Sequence, residues 1–402
     1  MSLKERIDAA YDDHTLNLLK ALIAIPSETP PGNVAEIVGR VESEMRSLGF
    51  DTRILAKKPE KPNLVATRDF GGDGPTIAIY SHADCANVGE ENRGFWTTDP
   101  YGGEIRDGKM YGNGAADAKS GLAALVGACK LLKDLRPPMR GKVILMATAD
   151  GEVGDTDGAK WMYENGLIPK ADFGINGDAS NLEVQHVFRG RIFYDLTVEG
   201  KVAHSNSPHL GINAISKMAK VIQALDGHRL RFTPHRSVPD SSMAITTISG
   251  GTKHNSLPGW CRATLDVRIV PGQTIAGATR ELEDFLAGLQ AQDPDLKATV
   301  KLKEFGAREV CVVPAETPIV VETAKALEEI TGRRASFRSG PGSTGCVMYF
   351  VDLGIPSIFF GPANLHDAHL PDECCSVENL GIATKTVALA LARMLSATSV
   401  DH

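Results

Sequence analysis

Ile77-Ala78-Ile79-Tyr80-Ser81-His82-Ala83-Asp84 runs an uninterrupted apolar stretch straight into a His-x-Asp. Gly74-Pro75 bounds it upstream, and its β-branched and aromatic residues suit a buried parallel strand over 76–80. Side chains two apart on extended backbone point the same way. His82 and Asp84 therefore leave the strand together, Asp84 placed to hydrogen-bond one imidazole nitrogen while the other faces a cation. An isolated His-x-Asp is more often a surface-loop histidine. What decides between the two is the chemistry that the rest of the chain brings to the same place.

With 402 residues, 42% hydrophobic and 23% charged, the chain can bury a large core and divide into two domains. The net charge of -7, with no dense run of Lys or Arg, argues against nucleic acid as a partner. Lys4, Glu5, Arg6 and Asp8 precede a mixed amphipathic segment rather than a secretory or membrane-spanning one, so we expect a cytoplasmic protein with no membrane partner. The seven cysteines (85, 129, 261, 311, 346, 374 and 375) are odd in number and lack a C-x-x-C pair, which points to neither a disulfide framework nor a thiolate zinc site. Cys85 reads as a nucleophile or, more simply, as a small buried filler.

Downstream and upstream of the opening strand the pattern alternates helix and strand. Apolar helical stripes cover 16–25 and 33–48, and strands are expected at 63–67 and 142–148 and over Phe173-Gly174-Ile175-Asn176. A long irregular segment follows Asp84 and ends at Gly114-Ala115-Ala116-Asp117-Ala118-Lys119-Ser120-Gly121, where an apolar helix begins. Asp117 at such a point is either an N-cap or a ligand. The strand at 142–148 opens onto Asp150-Gly151-Glu152, and the one at 173–176 onto Gly177-Asp178. In an open α/β sheet ligands gather outside the carboxyl ends of strands, so several strand ends bearing acids or His converge on one crevice. Between 187 and 305 the order becomes strand-helix-strand-strand-helix-strand, a split βαβ unit that reads as an inserted domain. The first fold resumes over 306–402 and supplies two more histidines, His366 and His369.

Ser81-His82-Ala83-Asp84, Tyr111-Gly112-Asn113-Gly114-Ala115-Ala116-Asp117-Ala118-Lys119-Ser120-Gly121, Gly200-Lys201-Val202-Ala203-His204-Ser205, Gly211-Ile212-Asn213-Ala214-Ile215 and Ala368-His369-Leu370-Pro371-Asp372-Glu373 stand in the order of a known set of motifs. They resemble the dinuclear metallohydrolase family of acetylornithine deacetylase, succinyl-diaminopimelate desuccinylase, aminoacylase and carboxypeptidase G. The resemblance implies an α/β, zinc-exopeptidase-like fold, a mostly parallel sheet sandwiched by helices, built from 1–186 and 306–402. An inserted ferredoxin-like α+β domain, 187–305, would serve as lid and homodimer contact. It further implies one or two divalent ions (zinc, manganese or cobalt), with His82 and Asp178 on one, Glu152 and His369 on the other, and Asp117 bridging. Carboxylate and imidazole donors suit such metals. Asp84 would orient His82, and His204 would stabilise an oxyanion from across a dimer. Asn255 and Arg268 would hold a substrate carboxylate, although an Arg ending a strand is as often a salt-bridged edge residue.

Two departures stand out. Members of that family carry two consecutive glutamates after the strand that ends here at Ala149, the first a general base, whereas this chain has Gly151 and then Glu152. General acid-base help is worth ~10²–10⁴ in rate, so ordinary peptide cleavage should suffer. Three readings follow: Asp150, Asp155 or Asp157 stands in, the substrate carries an already activated electrophile, or the protein binds metal and ligand without turnover. We expect the second, with Gly151 enlarging the pocket for a bulkier or planar substrate and Gly151→Glu raising turnover of N-acyl amino acids. The other departure is Gly340-Pro341-Gly342-Ser343-Thr344-Gly345-Cys346, which lacks the Asp and Arg of many relatives. It leaves Gly345 as a candidate substrate-lining position and Arg189 and Arg338 as stand-ins, surface pairing being the default for both. The sequence thus points to a metal-dependent hydrolase cleaving a C–N bond in a small carboxylate-bearing substrate. Its rivals are hydrolytic deamination of an activated aromatic amine and a non-catalytic metal- and ligand-binding relative.

Overall fold

The computed structural model describes residues 1–303, 307–339 and 345–396, the first two residues of the last stretch by backbone only. It resolves two compact units. The first runs from Met1 to His186 and resumes at Val313, and the second occupies Val187–Val312. The crossing lies beyond the boundary at 305 drawn from the sequence, because Val187–Phe188 pairs antiparallel with Cys311–Val312.

In the first unit a six-stranded sheet has the spatial order Ser357–Phe359, Phe173–Asn176, Thr76–His82, Lys142–Thr148, Pro62–Asp69, Asp51–Ala56. The first four strands pair parallel, and the last two join through antiparallel pairings, Pro62–Asp69 alone running against the rest. Thr76–His82 is central, which explains its unbroken apolar run, since both of its faces are covered. Ile79 packs in one cluster with Leu122 and Leu125 of the helix Lys119–Leu135. On the other face Tyr80 stacks on Phe350, ring centroids 4.1 Å apart, from the helix Gly345–Asp352. Burying a side chain of Ile79's size is worth roughly 1.5–3 kcal/mol.

Register decides where the loops leave the sheet. His82 pairs with Thr148 and Tyr80 with Asn176, so the segments carrying Asp84, Asp150 to Glu152 and Asp178 all start at one level of the sheet. The helices expected at 16–25 and 33–48 are His14–Ile23 and Ala35–Ser47. The long segment after Asp84 is more ordered than its sequence suggests. It holds the short strands Glu104–Arg106 and Lys109–Tyr111, joined antiparallel by Cys374–Ser376.

The second unit has strands Gly190–Glu199, Ser242–Gly250, Trp260–Ile269 and Lys297–Leu302 and helices Ala214–Asp226 and Ile275–Gln292. Its fully antiparallel sheet has the order Ser242–Gly250, Trp260–Ile269, Gly190–Glu199, Lys297–Leu302, the ferredoxin-like arrangement. Among the described residues no helix is long and apolar enough to cross a membrane.

Candidate metal centre

Five side chains far apart in sequence meet above the carboxyl ends of the parallel strands. His82 Nε2 lies 2.9 Å from Asp117 Oδ1, and His369 Nε2 lies 2.9 Å from Glu152 Oε2 and 3.4 Å from Asp117 Oδ2. Asp178 hydrogen-bonds Asp117. One donor atom from each of His82, Asp117 and Glu152 lies within 4.8 Å of the others. Asp117 thus turns one oxygen to His82 and the other to His369, the disposition a bridging carboxylate needs.

Asp84 does more than its spacing suggests. His82 Nδ1 is 3.0 Å from the Asp84 carbonyl oxygen and 3.3 Å from carboxylate Oδ1. The same carboxylate accepts from Gly151 N at 2.9 Å and Glu152 N at 3.2 Å. A single fully buried Asp therefore fixes one imidazole and the backbone that carries Glu152.

The helix behind Asp117 begins at Lys119 with Ala118 at the cap position and no side-chain cap bond, so the N-cap reading of Asp117 fails. Its backbone is held by Glu373, whose Oε1 accepts from Ala116 N at 2.8 Å and Asp117 N at 2.9 Å. Burial pushes the Glu373 carboxyl up to about 7. The sequence placed Glu373 in a motif without giving it a task. Gly121 lets this helix start close to the loop bearing Asp178: a Cβ there would sit 1.6 Å from the Gly177 carbonyl oxygen.

The electrostatics fit a cation. Burial, together with the negative charge of Asp117, pushes Asp178 up to about 8, and burial raises Glu152 as well. Asp117 itself is held well below the carboxylate range, its burial outweighed by hydrogen bonds with His369 and His82. Hydrogen bonds with Asp117 and Glu152 raise His369 to about 10. Glu152 Oε1 is buried with no hydrogen-bond partner among the described residues. Three crowded carboxylates, two imidazoles and an orphaned carboxylate oxygen form a donor set suited to divalent zinc, manganese or cobalt.

Gly151 does not enlarge the pocket. A Cβ on it would lie 2.3 Å from His82 Cγ and 2.7 Å from Cδ2, so the space is already filled by the imidazole. Asp150 and Asp157 do not replace the missing base either. Asp150 is fully buried, bound by Lys61 at 2.7 Å and accepting from Thr156 Oγ1 and Asp157 N. Asp157 is held by Lys57 at 3.0 Å and Lys58 at 2.8 Å. Asp155 is buried with its amide on the Asp150 carbonyl. Against the penalty of burial, Lys58 and Lys57 lower Asp157 to about 2. A depressed carboxyl stabilises the fold above its unfolded value near 3.9, and that contribution fades as pH falls toward 2. Asp157→Asn should cost about 1 kcal/mol at pH 7, the lysines being half exposed. The gap in urea midpoint between variant and wild type should narrow steadily below pH 4.

The remaining candidates divide. In the second unit His204 and Asn255 lie together: His204 bridges to Ser256, and Ser205 N donates to the Asn255 carbonyl at 3.1 Å. His204 is exposed, and its Nδ1 accepts from Asn206 N at 3.2 Å, which leaves Nε2 as the protonated nitrogen of the neutral ring. Arg268 is already engaged, its Nε and Nη2 on the two Asp266 oxygens at 2.9 and 3.0 Å. Arg189 is buried rather than paired at the surface, with Nη1 on the Asp240 carbonyl, while Arg338 is exposed. Gly345 opens the helix Gly345–Asp352, and residues 340–344 lie outside the described residues. Cys85 is fully buried and burial raises its thiol, which fits a filler rather than a nucleophile. His366 is exposed and takes no part in the cluster.

The chain is similar to known proteins over nearly its whole length. The succinyl-diaminopimelate desuccinylase of Cereibacter sphaeroides is 32% identical over 353 residues, 85% of this chain and 88% of that protein. The N-formyl-4-amino-5-aminomethyl-2-methylpyrimidine deformylase of Bacillus subtilis is 26% identical over 415 residues, 96% of this chain and 95% of that one. Among solved structures, aminopeptidase PepT from Bacillus cereus shares the fold, with a TM-score of 0.75 at 22% identity, over 95% of this chain and 98% of that chain. The sequence profile of peptidase family M20/M25/M40 matches residues 78–393, from the strand that delivers His82 to the helix that closes the first unit, and the chain belongs to that family.

Proposed function

We propose that the chain is a metal-dependent hydrolase that cleaves a C–N bond in a small carboxylate-bearing molecule. The observation that carries this reading is the convergence of His82, Asp117, Glu152, Asp178 and His369, with the Glu152 Oε1 atom left without a partner. His82 and Asp178 would hold one ion, Glu152 and His369 a second, with Asp117 between them. A divalent metal bound there polarises a carbonyl and lowers the pKa of water toward neutrality. The chain's own residues do the positioning. Asp84 keeps the His82 ring and the Glu152 backbone in one frame, and Glu373 fixes the amides around Asp117. His204, whose Nδ1 is taken by the Asn206 amide, is the candidate to donate its Nε2–H to a developing oxyanion from across a dimer. Asn255 and Arg268 are the two candidate carboxylate binders, Arg268 serving only by releasing Asp266.

The closed space at Gly151 and the lysine-bound Asp150 and Asp157 favour a substrate that demands little proton transfer from the protein. An activated acyl group, or an aromatic amine activated for hydrolytic deamination, meets that demand. The test is a turnover screen with added zinc, manganese or cobalt across N-acyl amino acids, N-formyl amines, electron-poor aryl amines and esters. The expected result is metal-dependent turnover of an activated C–N bond and slow cleavage of ordinary N-acyl amino acids. No turnover anywhere, with metal still bound, favours the non-catalytic relative.

The same reading makes the chain a homodimer through its second unit. The edge strand Ser242–Gly250 is largely exposed and carries Ile248 at 55% exposure, a feature that a partner strand would cover. Light scattering at micromolar concentration should return twice the chain mass, and Ile248→Lys should return the monomer. A monomeric wild type rejects the assignment.

A further inference from the structure

His82 and His369 are aimed in different ways. His82 has its second nitrogen held by Asp84. His369 has a side chain that is 53% exposed, and among the described residues its Nδ1 makes no hydrogen bond. Apart from the Nε2 contacts with Glu152 and Asp117, what aims its ring is its backbone, which is left-handed at φ 60. Three residues on, Asp372 is left-handed too, at φ 59, and its carboxylate is saturated by one short segment. Oδ1 accepts from Thr97 N at 2.8 Å, Thr98 N at 3.1 Å and Thr98 Oγ1 at 3.2 Å, and Oδ2 accepts from Thr97 Oγ1 at 2.6 Å. The next residue, Glu373, ties the same turn to the amides of Ala116 and Asp117, and its carbonyl accepts from Gly112 N at 2.9 Å.

We infer that Asp372 is a positioning residue for His369: by stapling the 369–373 turn to Thr97 and Thr98, it sets the angle at which His369 meets Glu152 and Asp117. A non-glycine residue enters the left-handed region at a cost, one that Asp and His bear more readily than most. The four bonds on Asp372 hold this turn in that conformation. This inference rests on the proposed role of His369 as a metal ligand.

The test titrates zinc or manganese into metal-free full-length protein against a chromogenic chelator, for wild type, His369→Ala, Asp372→Ala, Asp372→Asn, the His369→Ala/Asp372→Ala double variant and Thr97→Val/Thr98→Val. Asp372→Ala should weaken metal binding roughly tenfold to hundredfold, the range found when a residue supporting a ligand is lost. Asp372→Asn keeps the Oδ1 acceptor and should restore most of the affinity. In the His369→Ala background the Asp372 substitution should add nothing, because the residue it positions is gone. An equal loss in both backgrounds, or unchanged affinity in Asp372→Ala, overturns the inference. Should Asp372→Ala fail to fold, the Thr97→Val/Thr98→Val pair, which removes two of the four bonds, must lose affinity more than threefold; unchanged affinity overturns the inference equally. Unchanged affinity in His369→Ala alone sinks the ligand assignment instead, so the two failures are distinguishable.

Discussion

Asp117→Ala should reduce turnover by about 10³-fold or more, the equivalent of several kcal/mol of metal-supplied stabilisation of the transition state, and should abolish binding of the second metal equivalent. The reason is geometric. Among the described residues Asp117 is the one side chain whose two oxygens face both imidazoles, at 2.9 Å from His82 and 3.4 Å from His369. Under the proposed assignment its loss would remove a donor shared by both ions, whereas loss of His82 or His369 would remove one. It also leaves the two imidazoles without their common hydrogen-bond partner, so the cluster itself should loosen. Metal analysis after dialysis, together with initial rates on the best substrate of the screen, measures both effects. A variant that keeps two equivalents of metal, or loses less than tenfold in rate, contradicts the assignment of Asp117 between the two ions.

The second large effect is expected at Gly151, where the structure reverses the expectation drawn from sequence. Gly151→Ala should lower metal affinity at least about tenfold, and Gly151→Glu should fail to raise turnover of N-acyl amino acids. A Cβ at this position would stand 2.3 Å from His82 Cγ and 2.5 Å from its Cβ, separations that real side chains do not adopt. The neighbour cannot give easily, because the His82 ring is fixed by Asp84 on one nitrogen and Asp117 on the other. The ring must swing, and Nε2 then leaves the cluster. Gly39→Ala is the control. Its Cβ meets nothing within 4 Å on the exposed face of Ala35–Ser47, so it should leave metal affinity unchanged and stabilise slightly. Isothermal titration with manganese compares the three. A Gly151→Glu variant with intact metal binding and faster amide cleavage would restore the view of Gly151 as an opened pocket.

How much of this was legible in the sequence depends on how local each signal is. The central strand was readable because Ile77 to Tyr80 is apolar on both faces, and His82 because it stands where that run ends. The inserted unit was readable from the order of its elements. Its edge strand Ser242–Gly250 was harder, since an exposed strand shows no apolar alternation. Three-residue strands such as Glu104–Arg106 and Lys109–Tyr111 carry too few residues for any period to show.

The site residues that came through were those with a distinctive local setting. Those that did not depend on partners far away in the chain. Asp372 meets Thr97 across 275 positions, and Glu373 meets Asp117 across 256. Nothing near either acid in sequence announces its partner. Arg268 illustrates the opposite error: its setting suits a substrate carboxylate, yet Asp266 two residues away already takes its guanidinium. Gly151 misled for a similar reason. Removing a side chain from a sequence suggests a gap, but the neighbour that fills it, His82, comes from another strand.

The most direct measurement is anomalous diffraction at the manganese or zinc edge from crystals of the full chain grown with that metal. The account predicts one or two anomalous peaks between the strand ends, each with His82, Asp117, Glu152, Asp178 or His369 donors at about 2.0–2.2 Å, and with Asp117 reaching both when two are present. A peak held by other residues, or these five side chains ordered and bare at saturating metal, would contradict it.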